Sequence, residues 1–97
     1  MTDREMLEFA AKAAGITVSF DRTRRDWAWN SLDDDGDAFR LAVKLKLVVD
    51  CAGDEGVEVI EWEISRTHAF EPFGSDPEAA TRLAITRAAA EIGRGME

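Results

Sequence analysis

The apolar residues of this chain switch spacing along its length, from helical to alternating and back. That switching constrains the fold more than any single motif, because a helical period and a two-residue period bury different surfaces. Leu7, Ala10, Ala11 and Ala14 recur at helical spacing, and Met6, Phe9 and Ala13 widen the same face. Thr2-Asp3-Arg4-Glu5 fits a capping box and Gly15 is a stop signal, so a helix is expected over 2–14. Ile16, Val18 and Phe20 then alternate with polar neighbours, as a half-buried strand does. The charged stretch 21–26 reads as a turn. Trp27 and Trp29 are two apart and would share one face of a second strand, completing a hairpin.

Ala38, Leu41, Ala42 and Leu45 return to helical spacing. Residues 47–51 have strand composition, 52–56 form a glycine-bounded turn, and 57–65 form another strand. Val57 and Val59 share one parity while Ile60, Trp62 and Ile64 share the other, which fits a bulge between Val59 and Ile60 or a strand buried on both faces over part of its length. A further short strand near 66–70 is compatible with the composition. In the last segment Ser75 can cap, Pro77 suits a first turn and Glu78 completes a Ser-x-x-Glu box. Ala80, Leu83, Ala84 and Ala88 form a stripe widened by Ile85, Ala89 and Ile92, and Gly93 is the expected end. The order α-β-β-α-β-β-α implies an α+β fold: an antiparallel sheet of four to five strands packed with three helices.

At 97 residues the chain is expected to form one globular domain, 1–97. A single cysteine, Cys51, excludes an intramolecular disulfide and suits a reducing cytoplasm; in a strand it reads as core packing. The N-terminus carries acids early and does not read as a signal peptide, and no apolar run is long enough to cross a membrane. The net charge of −8 repels phosphate backbones and disfavours direct nucleic-acid binding. It is compatible with a basic protein partner, with imitation of nucleic acid, or with solubility alone.

The most chemical-looking stretch is WNSLDDDGDAFRLAVKL, 29–45, where Asp33, Asp34, Asp35 and Asp37 surround Gly36. A calcium loop aligned on Gly36 would use Ser31, Asp33 and Asp35, but its twelfth position is Ala42, so the bidentate acid is missing. Paired catalytic carboxylates need one buried member, and a run of three aspartates does not predict burial. With one histidine, His68, and one cysteine there is no zinc spacing, and His68 reads as a strand-end surface residue. No catalytic residue, metal or cofactor is expected. A helix start accounts for the stretch directly: Asp34 or Asp35 caps and Asp37 lies in the first turn, where the helix dipole favours carboxylates. One acid suffices for that, so the others are expected to serve a surface, with Trp29, Asn30, Asp33, Asp34, Asp35 and Asp37 as a protein-binding patch. Arg22, Arg24, Arg25 and Trp27 form the alternative, a small-molecule or nucleotide pocket of basic and aromatic residues.

The blocks MTDREMLEFAAKAAGI, WNSLDDDGDAFRLAVKL and DPEAATRLAITRAAAEIGR resemble a family of small uncharacterised proteins of tailed bacteriophages and prophages, distantly like the NinX group. That family typically has Trp-Asn-Pro-Leu ahead of an Asp-Asp-Gly-Asp helix start; here Ser31 stands in the proline's place. The resemblance covers about half the chain and brings no catalytic residues. It implies a non-enzymatic accessory protein in the host cytoplasm that binds a host or phage protein, for instance as an inhibitor of a defence complex. A homo-oligomer is compatible with it.

Overall fold

The computed structural model describes residues 1–17, 20–21, 26–27, 29–62 and 66–96. Helix α1 spans Asp3–Ala14. Its capping box is in place: the Glu5 amide donates to Thr2 Oγ1 at 3.1 Å and the Thr2 amide donates to Glu5 Oε1 at 3.1 Å. Gly15 ends the helix at φ 70°, a left-handed conformation that glycine adopts without a Cβ penalty. The Ile16 amide turns back to the Ala11 carbonyl at 2.8 Å, so the backbone of Ile16 serves the helix end instead of a strand.

Of the expected first hairpin, residues 18, 19, 22–25 and 28 lie outside the described residues. Strands β1 (Phe20–Asp21) and β2 (Asp26–Trp27) pair antiparallel, Phe20 with Trp27 and Asp21 with Asp26. They form their own two-stranded ladder. Among the described residues the larger sheet has three strands, not the expected four or five: β3 (Leu47–Asp50), β4 (Gly56–Glu61) and β5 (Arg66–Pro72), in the order β3-β4-β5 and antiparallel throughout. The fold class is α+β as expected, with helices α2 (Asp35–Lys44) and α3 (Pro77–Arg94) before and after this sheet. The parity switch in β4 has its cause in the register. Pairing steps from Val59–Ala69 to Ile60–Thr67, leaving His68 of β5 as the extra residue.

Helix α3 lies on the sheet and α1 packs on α3. Val57, Val59, Ala84, Ala88, Ala89 and Leu41 are wholly buried between these layers. The α1–α3 contact is built from small residues. A Cβ at Gly93 would overlap the Phe9 carbonyl oxygen, so the helices approach backbone to backbone there. Gly93 is therefore a packing residue inside α3, and the helix runs on to Arg94. The start of α3 also differs from expectation. Asp76, not Ser75, is the N-cap and accepts from the Ala79 amide at 3.0 Å. With Pro77 in the first helical position, the cap falls on the residue before it.

Candidate functional site

The acidic stretch folds into one turn organised by Asn30. The Asn30 amide donates to Asp37 Oδ2 at 2.9 Å and its side-chain Nδ2 donates to Asp33 Oδ2 at 3.2 Å. Its Oδ1 accepts from the Leu32 amide at 3.0 Å, and its carbonyl accepts from the Asp34 amide at 2.9 Å. Asp34 is the N-cap of α2 and accepts from the Asp37 amide at 2.8 Å. Asp37 also meets Arg40 one turn on, at 3.3 Å. The turn is then tied to α3. Arg82 donates from Nε to the Leu32 carbonyl at 2.9 Å and from Nη1 to Asp35 at 2.6 Å. Beneath it, Ser31 and Thr86 are wholly buried with their hydroxyls 2.7 Å apart.

The structure thus brings Trp29, Asn30, Asp33, Asp34, Asp35 and Asp37 together, and gives each of the four carboxylates a local hydrogen-bond or ion-pair partner. Asp33, Asp34 and Asp35 remain exposed, while Asp37 is half-buried. Trp29 is half-buried against the core, so the aromatic ring presented to solvent beside the acids is Phe39, 68% exposed. The Ser31 hydroxyl of the hypothetical calcium loop is turned inward to Thr86. Among the described residues, no group of three or more His, Cys, Asp or Glu is placed to hold a metal ion. Of the alternative pocket, Arg22, Arg24 and Arg25 lie outside the described residues, and Trp27 is placed only as the partner of Phe20.

A second feature adjoins the acidic turn. Between α2, α3 and the helix-facing side of β3 runs an apolar groove of about 760 Å³. Phe39 and Val43 of α2 form one wall, Ile85 and Thr81 of α3 the other, and Leu47 and Val49 the floor. Asp35, Glu78, Arg82 and Lys46 supply its polar border. The groove exists because α3 lies over the sheet while α2 meets it mainly at its β3 margin. Phe39 and Val43 were a readable sign of it. They sit four apart and off the Ala38, Leu41, Ala42, Leu45 stripe, as a second apolar face would.

Two other residues correct the sequence reading. Cys51 is exposed, because β3 ends at Asp50 and the cysteine lies beyond it at the groove margin. His68 is not a free surface residue. As the bulge residue it is drawn inward, its side chain 10% exposed, with Nε2 2.6 Å from Glu61 Oε1. Nearby, Glu71 of β5 pairs with Arg87 of α3, tying that helix to the sheet.

No protein-family model, curated protein or solved structure matches this chain.

Proposed function

We propose that this chain is a non-enzymatic accessory protein of a tailed bacteriophage or prophage, acting in the host cytoplasm by binding another protein. The surface assigned to that role is acidic and aromatic: the Asn30–Asp37 turn and the groove beside it. One observation carries the reading. Phe39 and Val43, 68% and 61% exposed, line an apolar groove bordered by carboxylates in a chain of net charge −8. Apolar side chains exposed side by side and rimmed by charge mark interaction sites, and the charge selects a basic partner over nucleic acid.

The test is retention of proteins from host lysate by the immobilised chain, at low and at high salt. Phe39→Asp and Asp33→Arg are the comparison variants, each checked for an unchanged melting temperature. The expected result is a protein retained at low salt, released at high salt and lost in both variants. A retained protein indifferent to both substitutions would sink the assignment of this surface.

The groove's volume favours a second reading, a small-molecule module, because ligand sites span roughly 300–1,000 Å³. Calorimetric titration with nucleotides and cyclic dinucleotides probes the groove, which no tryptophan lines, and tryptophan fluorescence in the same titration probes the Arg22, Arg24, Arg25 and Trp27 region. No response at millimolar ligand removes nucleotides as the occupant.

A further inference from the structure

Strands β3 and β5 are the two edges of the larger sheet. An edge strand presents unpaired N–H and C=O groups, and natural proteins blunt such edges with bulges, prolines, lysines, inward charges or short strands. β5 is bent and interrupted by the His68 bulge and the terminal Pro72. β3 has neither of these two and is guarded by its short length and by Lys46 ahead of it. It is four regular residues, Leu47–Asp50, in unbroken register with β4. Within it, Val48 faces away from the helices and is 36% exposed. An exposed lysine, Lys46, precedes the strand and an exposed aspartate, Asp50, closes it.

We propose that the chain pairs with a second copy of itself through β3, antiparallel about a two-fold axis at Val48, joining two three-stranded sheets into one. The charges select this partner and this register. With Val48 opposite its own counterpart, Leu47 faces the partner's Val49, and Lys46, which precedes the strand in a left-handed conformation at the groove's border, comes within side-chain reach of the partner's Asp50. Both ionic matches arise from one symmetry operation, as an isologous contact requires. Sliding one strand by two residues either way leaves Lys46 or Asp50 opposite Val48. A further step sets Lys46 against Lys46 or Asp50 against Asp50, which is repulsive. An odd shift would set helix-facing residues against outward ones. The axis stands perpendicular to the sheet, so both helix layers lie on the same side. The two grooves, each floored by Leu47 and Val49, then adjoin across the axis and bring exposed apolar surface to the contact.

The test begins with sedimentation equilibrium of the intact chain from micromolar to millimolar concentration. The expected mass is twice that of the 10.7 kDa chain. Lys46→Asp places Asp opposite Asp at both ends and should weaken the dimer by about tenfold or more. It fits the left-handed backbone at Lys46, φ 55°, which aspartate tolerates. The swap Lys46→Asp with Asp50→Lys should restore parental affinity. In a Cys51→Ser background, Val48→Cys should form an intermolecular disulfide on mild oxidation, since directly opposed residues lie within disulfide reach. Asp54→Cys in the same background, in the turn after β3, should not. A single-chain mass at every concentration overturns the proposal. So does a dimer that ignores Lys46→Asp, is not restored by the swap, or cross-links no better through position 48 than through position 54.

Discussion

The buried hydroxyl pair beneath the acidic turn makes a prediction whose sign depends on where two protons sit. Thr86 Oγ1 lies 2.8 Å from the Arg82 carbonyl, which can only accept, so the single Thr86 proton points there. Ser31 must then be the donor in its 2.7 Å contact with Thr86. The two deletions are therefore unequal. Ser31→Ala removes one hydrogen bond but leaves the Thr86 proton satisfied, a loss of about 1 kcal/mol. Thr86→Val removes the acceptor and leaves the Ser31 O–H buried without a partner, costing about 1–3 kcal/mol. The double variant removes the stranded donor as well, so it should be less damaging than the sum by about 1 kcal/mol. Urea unfolding of the four proteins, with equal slopes, measures all three quantities. If Ser31→Ala cost as much as Thr86→Val, or the two effects added, the assigned proton direction would be wrong. Ser31→Pro is informative too: proline makes no such bond, and the loss should at least match Ser31→Ala.

Gly93→Ala should destabilise the protein by about 1–3 kcal/mol, read as a fall in melting temperature, although helix propensity alone predicts a gain of about 1 kcal/mol. The added Cβ meets the Phe9 carbonyl in the backbone of α1, which cannot step aside as a side chain could. At the other end of α1, the Thr2 amide and hydroxyl donate to Glu5 and hold its carboxyl below the usual glutamate range. The folded value lies below the unfolded one, so the contribution is full above the ordinary glutamate range and is lost as pH falls through the folded value. Glu5→Gln should thus lower the melting temperature at neutral pH, and the gap from the parent should close on acidification.

The helices were legible because their signals are local. The α1 capping box lies within four consecutive residues, and the expected 2–14 differs from Asp3–Ala14 by one residue. Asp34 was one of two named caps for α2 and is the one used. The bulge was legible too, since a parity switch in β4 shows on one strand, though its extra residue sits on the other. What failed was long-range. Gly93 reads as a stop until Phe9, which lies on another helix, shows why no side chain fits there. Ile16 alternates like a strand residue, but its amide closes α1. Cys51 has strand company in sequence and none in space, because β3 ends one residue earlier. In the candidate site, the six residues at 29–37 were legible as a cluster. Of the groove only the Phe39–Val43 wall left a sign in the sequence, because its walls come from segments roughly forty residues apart that only α3's placement brings together.

The local partners of the four aspartates change how any binding experiment on them must be read. Asp34 caps α2, and Asp37 holds the Asn30 amide, so replacing either disturbs the turn before it disturbs a partner. Losing a cap alone costs about 1 kcal/mol. Asp35 is different. Its side chain is 78% exposed while that of Arg82 is 18% exposed, so the pair's stability lies mostly in Arg82's bond to the Leu32 carbonyl. Phe39 and Val43 are freer still, with most of their surface in water. Polar substitutions there remove apolar area from the groove without opening the core. A loss of binding at Phe39 with an unmoved melting temperature would therefore report the surface, whereas the same loss at Asp34 or Asp37 would report the turn. The residues that look most chemical in the sequence are the ones most occupied with holding it, and the contact surface is carried by the two apolar side chains beside them.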